Sequence, residues 1–222
     1  VSLNSGKACI AALKEKKYKV SKIDPKFKNL NLIDKKKVDV IFNALHGKEG
    51  EDGVAQSYFE YLKIPYTHSG IISSYNAMNK IISKEIFIKN KILTPRYFTL
   101  KRNDFKNYDL KKLLQKKKIS FPVVVKPINE GSSLGVKISK NISNLKKIIK
   151  SLFNIYSQLM FEQFIGGQEI QAAILNDKTI GAIELIPKRQ FYDYKAKYTK
   201  NAKTEHVMPA RLKKHQYQTV LN

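Results

Sequence analysis

Phe121-Pro122-Val123-Val124-Val125-Lys126-Pro127, followed almost at once by Glu130-Gly131-Ser132-Ser133-Leu134-Gly135, is the stretch that decides how the chain is read. Three β-branched residues in succession predict a buried strand. A lysine at its end and then a Gly/Ser loop suit a site that receives phosphate. Gly131 and Gly135 let backbone N–H groups turn toward an anion, Ser132 and Ser133 add hydroxyl donors, and Lys126 supplies a point charge. A strand, a solvated lysine and a flexible turn would use the same residues, so the reading rests on what the rest of the chain supplies.

Outward from this stretch the pattern alternates. Residues 3 to 16 read as a helix with Ile10 and Leu13 among alanines, Val38 to Leu45 as a buried strand, and Val54 to Leu62 as a helix carrying Phe59 and Leu62. Ser73 or Ser74 is placed to cap one helix running to about Lys89. Tyr97 to Leu100 reads as a short strand and Tyr108 to Lys118 as a helix. Strands at 122 to 126 and 134 to 138 flank the Gly/Ser loop, and a helix spans about 142 to 155. Three more strands fit Leu159 to Glu162, Glu169 to Leu175 and Thr179 to Ile186, the last two joined by an Asn176-Asp177-Lys178 turn. The order is α/β early and mixed later, which puts a domain change near residue 68.

Composition narrows the class. With 222 residues and 42% hydrophobic content the chain can bury one or two substantial cores. No apolar run approaches a membrane span and no charged start with an apolar stretch marks a secretory signal in these residues, so a cytoplasmic protein without membrane contact is expected. Cys9 is the single cysteine and stands in an alanine-rich helical stretch, which excludes an intrachain disulfide. The net charge of +24 invites a nucleic-acid reading, but the basic residues are almost all lysine, scattered through every segment without one basic helix or a set of aromatic stacking platforms. No nucleic-acid partner is expected. Abundant lysine, isoleucine and asparagine fit an A/T-rich coding sequence.

Two further constellations carry chemistry. Glu162-Gln163-Phe164-Ile165-Gly166-Gly167-Gln168-Glu169 places a strand end, an apolar connector and a strand start around two carboxylates. Backbone groups and an apolar wall there suit an adenine, and Glu169 suits a ribose hydroxyl, although a surface connection with solvated glutamates reads the same way. Phe191-Tyr192-Asp193-Tyr194-Lys195-Ala196-Lys197-Tyr198 is too aromatic for an ordinary solvated loop, and a connection over 188 to 206 is long enough for a binding loop.

Taken in order, these motifs resemble the D-alanine–D-alanine ligase family of the ATP-grasp superfamily. The matching stretches are Val1 to Gly6, Leu45-His46-Gly47 through Gly53, Pro65 to Gly70, Asn79-Lys80, Val125-Lys126-Pro127, Glu130 to Ser133, Glu162, Glu169 and Asp193 to Tyr198. The resemblance implies an α/β fold: an N-terminal Rossmann-like, pre-ATP-grasp domain over 1–68, then an α+β ATP-grasp domain with subdomains over 69–161 and 162–222, truncated at the C-terminus. It implies that Lys80 and Lys126 bind ATP phosphates, that Glu162, Gln163, Phe164 and Ile165 form the adenine hinge, and that Glu169 is the ribose ligand. Ser133 matches the phosphate-covering loop and Lys197 the lysine that a mobile loop brings to the γ-phosphate. Ser132 and Tyr198 match a hydrogen-bonded pair near the second substrate, and His46 lies beside the first. ATP would phosphorylate one D-alanine carboxylate and the amine of a second D-alanine would attack the acyl phosphate, in the service of peptidoglycan precursor synthesis.

Some positions depart from the family pattern. His68 stands where glycine is usual, Asn79 where aspartate is usual, Ser57 replaces a glycine and Lys195 a glutamate. After Ile186 the only acidic residues are Asp193 and Glu205, so the family's magnesium ligands are expected outside this chain and no metal ligand is assigned within it. No strand precedes the first helix, and the last residues fall inside a helical pattern from about Lys213. More sequence is therefore expected at each end, with the 222 residues inactive alone. A D-alanine–D-lactate ligase and another ATP-grasp carboxylate-amine ligase are the alternative enzymes, and a basic binding protein the alternative class. The family is commonly dimeric, which makes a homodimer an expectation.

Overall fold

The computed structural model describes residues 1–188 and 204–222 and divides into two compact units, Val1–Thr94 with Pro127–Gly131, and Pro95–Lys126 with Ser132–Asn222. In the first unit, α1 (Ser2–Glu15) carries Lys14 in its last turn, where a cation meets the negative end of the helix dipole. A 3-10 turn (Leu30–Leu32) leads to α2 (Val54–Tyr61), whose buried Ala55 and Phe59 stand one helical turn apart. They pack with Ile33 and Ile64 into a small core, edged by Ile41, Leu45 and Tyr66. Gly53 precedes α2 at φ +97°, and a Cβ there would meet the Ile71 carbonyl oxygen at 2.8 Å, so only glycine fits.

Two expectations for this unit are corrected. The segment Val38 to Leu45 does not form a buried strand. It makes one isolated parallel bridge, Ile41 with Tyr66, through Ile41 N–H to Pro65 O (2.8 Å) and Thr67 N–H to Ile41 O (3.0 Å), and Val40 is 59% exposed. An apolar run marks a strand only if a neighbour pairs along its length, and here the pairing is a single bridge. The helix expected up to Lys89 is two helices, α3 (Ile71–Met78) and α4 (Lys80–Lys89). Asn79 divides them: its backbone is extended and its side chain accepts from the N–H groups of Ile81 (3.0 Å) and Ile82 (3.3 Å), so it caps α4.

The second unit is built on a four-stranded sheet of order β1-β4-β2-β3, from β1 (Tyr97–Lys101), β2 (Val123–Pro127), β3 (Lys137–Ser139) and β4 (Gln158–Gln163). Alternate residues Phe98 and Leu100, Val123 and Val125, and Leu159 and Phe161 enter one core with α5 (Leu110–Lys116) and α6 (Ile142–Phe153). Register places Phe98 opposite Phe161, and their rings stack at 4.7 Å. α6 turns Leu145, Ile149, Leu152 and Phe153 inward at helical spacing and is capped by Asn141, which accepts from Asn144 N–H at 2.8 Å. Asp109 caps α5; the backbone N–H groups of Lys112 and Lys111 hold its carboxyl below the usual carboxylate range.

A second, antiparallel sheet contains β5 (Glu169–Leu175), β6 (Lys178–Ile186) and β7 (Glu205–Val207), with β6 central. Asn176 and Asp177 both take positive φ, 49° and 60°, the geometry a two-residue hairpin turn requires. α7 (Lys214–Leu221) lies on β6, where the Tyr217 hydroxyl accepts from Ala182 N–H at 3.2 Å.

Candidate functional site

Strand β2 sorts its side chains by alternation: Val123, Val125 and Pro127 go into the core, so Lys126 goes to the other face. There its ammonium forms an ion pair with Glu162 on the neighbouring strand β4, the side chains being 20% and 7% exposed. The sequence reading assigned these residues separately, to phosphate and to adenine. Their pairing is visible only once β2 and β4 are known to be neighbours.

The Gly/Ser loop that follows β2 is conformationally costly. Ser132 (φ 49°), Ser133 (φ 61°) and Gly135 (φ 71°) are all left-handed, and Val136 N–H returns to Ser133 O at 3.3 Å. Each non-glycine residue in that region costs about 1–2 kcal/mol, a strain that collects at ligand-binding loops. Within the first unit, Lys80 at the start of α4 supports the stretch leading into this loop. Its Nζ donates to Ile128 O (3.3 Å) and to Glu130 O, and its backbone N–H also reaches Ile128 O (3.2 Å).

In the connector after β4, Gln163 Oε1 accepts from Ser120 N–H (2.9 Å) and Ser120 Oγ (3.2 Å), while the backbone N–H groups of Gln163 and Phe164 reach Arg96 O (3.0 Å) and Pro122 O (3.3 Å). Ile165 projects 65% exposed, an apolar surface on a fixed connector. Glu169 opens β5 on the surface. Beside it is a network that sequence reasoning missed. Buried Glu184 on β6 accepts from Arg211 Nε (2.9 Å) and Gln168 Nε2 (3.0 Å), and Gln168 also donates to Arg211 O (3.2 Å). The Arg211 guanidinium, with Gln168, holds the Glu184 carboxyl below the usual range, and Glu184 raises Arg211 in return. The alternating pattern of β6 gave no signal of a buried carboxylate, because its partner lies 27 residues on.

The first unit contains a cavity of about 450 Å³ lined by His46, His68, Asn43, Glu51, Ser5 and Cys9 among others. Its floor is set by Gly50 O, which receives both Asn43 Nδ2 (3.0 Å) and Gln56 Nε2 (3.1 Å), and Glu51 accepts from Gly47 N–H at 2.5 Å. His46 is held by its N–H to Ser2 Oγ (3.1 Å) and by Nδ1 donating to Ala44 O (3.0 Å). His68, at φ +78°, donates from Nε2 to Asn43 O (3.0 Å) and packs edge-on against Phe42. Lys197 and Tyr198 lie outside the described residues. Among the described residues no group of three or more His, Cys, Asp or Glu side chains is arranged to hold a metal ion, and no helix is long and apolar enough to cross a membrane.

The sequence matches the D-ala D-ala ligase N-terminus family over residues 24–69 and the D-ala D-ala ligase C-terminus family over residues 86–222. The chain belongs to the D-alanine–D-alanine ligase family. A D-alanine–D-alanine ligase of Pelagibacter ubique is 53% identical over 218 residues, covering 96% of this chain and 69% of that protein. The crystal structure of the Bacillus anthracis D-alanine–D-alanine ligase superposes with TM-score 0.79 at 36% identity, covering 99% of this chain and 70% of that one. A second structure of the Bacillus anthracis ligase, complexed with ATP, superposes with TM-score 0.75 at 31% identity over 96% of this chain and 66% of that one. The ligase family bears out the α/β and ATP-grasp fold expected from the motifs.

Proposed function

We propose that this chain supplies the nucleotide and first-substrate sites of an ATP-dependent carboxylate-amine ligase that joins two D-alanines. The observation that carries this is the 53% identity to a D-alanine–D-alanine ligase over 96% of the chain. The geometry supports it: Lys126 stands near the end of a buried strand and the left-handed serines lie on the loop that follows, which suits polyphosphate. In this reading Lys126, Lys80 and the Ser133 backbone offset phosphate charge, residues 162–165 hold the adenine and Glu169 the ribose. His46 contacts the first D-alanine, while Ser132, Lys197 and Tyr198 serve the acyl-transfer end. The domain limits at 68 and 161 belong to the same reading.

The first D-alanine carboxylate oxygen attacks the γ-phosphorus of ATP, ADP leaves, and an acyl phosphate forms. The amine of the second D-alanine then attacks the acyl carbon, loses a proton, and phosphate departs as the peptide bond closes. Fixed cations and backbone donors assist because charge accumulates on phosphoryl and carbonyl oxygens in both steps. Magnesium would neutralise part of that charge, but the described residues offer no donor set for it, so no step is drawn through it. The enzyme would act in the cytoplasm, as a homodimer, upstream of peptidoglycan assembly. A strain dependent on external D-alanyl-D-alanine should regain growth when given the complete gene in which this coding sequence lies, and lose it again with Lys126→Ala. Growth that stays dependent on the dipeptide would overturn the reading.

A further inference from the structure

Among the described departures from the family pattern, His68 is the one that lines the cavity that His46 also lines. Its backbone sits at φ +78°, where glycine is at ease and a Cβ crowds the following carbonyl oxygen, and the residue is exposed. A histidine held there at a steric cost, with its ring fixed from two sides, invites a chemical explanation. The two contacts are Nε2 to Asn43 O at 3.0 Å and the edge of Phe42 at 6.0 Å between centroids, 74° between planes.

The carbonyl can only accept, so Nε2 carries the proton and Nδ1 of the neutral ring is an acceptor. His46 is fixed from its opposite nitrogen: Nδ1 donates to Ala44 O, which leaves Nε2 as the acceptor. Glu51 adds a carboxylate to the same wall. His46, His68 and Glu51 thus present acceptors, the complement of an ammonium group with three donors and a positive charge. A hydroxyl in the same place has one donor and no charge.

Resting on the assignment of this cavity to the first substrate, we infer that His68 is a specificity-determining residue there, its Nδ1 accepting a hydrogen bond from the substrate ammonium and so favouring a D-amino acid over a D-2-hydroxy acid. The test titrates the chain with D-alanine and, separately, with D-lactate by NMR, for the unaltered protein, His68→Gly and His46→Ala, with a thermal midpoint for each. His68→Gly should weaken D-alanine binding about fivefold to tenfold, the loss of one charge-assisted bond at a partly solvated site, and change D-lactate less than about twofold. Its midpoint should hold or rise, because glycine relieves the left-handed strain. Unchanged D-alanine affinity in His68→Gly, or equal losses for both ligands, overturns the role of His68. If His46→Ala still weakens D-alanine in that case, the first-substrate assignment stands and only the inference falls. If neither variant changes D-alanine affinity, or the unaltered chain does not bind it, the assignment falls as well.

Discussion

Replacing Lys126 by alanine perturbs two things that can be separated. The lysine pairs with Glu162, whose side chain is 7% exposed, while its own is 20% exposed. Breaking a buried pair by removing one partner costs about 3–5 kcal/mol; solvent at the lysine end lowers that to about 2–3 kcal/mol here. At roughly 2–4 °C per kcal/mol for a chain of this size, the midpoint should fall by roughly 5–10 °C. If Lys126 also donates to a phosphate, nucleotide affinity drops by a further 1.5–3 kcal/mol or about tenfold to a hundredfold. Lys126→Met combined with Glu162→Leu removes both charges and should restore most of the midpoint, since apolar replacements of similar volume commonly match a buried pair. It should leave nucleotide binding impaired. The assay is calorimetric titration with a non-hydrolysable ATP analogue alongside thermal melts, with exposed Lys117→Ala as control. Equal affinity in Lys126→Ala and Lys117→Ala would refute a phosphate contact. Affinity that recovers with the midpoint in the double variant would show that Lys126 acts only through the fold.

Glu184 is ionised in the fold with a lowered pKa, chiefly through Arg211, so its contribution is complete above the unfolded glutamate value of about 4.3 and is lost as pH falls through the lower folded value. Urea midpoints measured from pH 6 down to 3 should therefore fall more steeply for the unaltered chain than for Glu184→Gln; parallel curves would count against it. Tyr66 is pushed up to about 12 by burial and by its hydrogen bond to Glu60, so the stability it contributes persists below about pH 10 and is lost as pH rises toward 12; Tyr66→Phe should flatten that alkaline limb in a melt series. Tyr198→Phe in the active enzyme should shift selection between D-alanine and D-lactate as second substrate by about 0.5–1.5 kcal/mol, the value of one hydrogen bond, and an unchanged product ratio would remove that role.

What was legible from the chain follows the range of each interaction. Val123 to Lys126 announced both a buried strand and a displayed lysine because period-2 alternation is local, and Asn176-Asp177 announced its turn because left-handed backbone suits those residue types. Asn79 was noted as an oddity in a motif, yet its effect, ending one helix and capping the next, depends on a backbone choice that uninterrupted helical periodicity concealed. Ion pairs across strands were beyond reach. Lys126 and Glu162 are 36 positions apart, and nothing in either segment says that β4 and β2 are neighbours in a sheet whose order is β1-β4-β2-β3. That pairing also changes what the lysine can do. A solvated lysine would have to give up rotamer freedom to meet a phosphate, at about 1.5–2 kcal/mol, whereas one already held by Glu162 has lost much of it on folding. The same carboxylate competes for the ammonium, so bound phosphate must share it or displace Glu162. A change at Glu162 that keeps Lys126 separates these outcomes, because a lysine pre-positioned by its partner gains affinity from Glu162 and a lysine held back by it loses affinity. In Glu162→Gln alone, where the lysine remains and the charge does not, weaker nucleotide binding would mark positioning and tighter binding would mark competition.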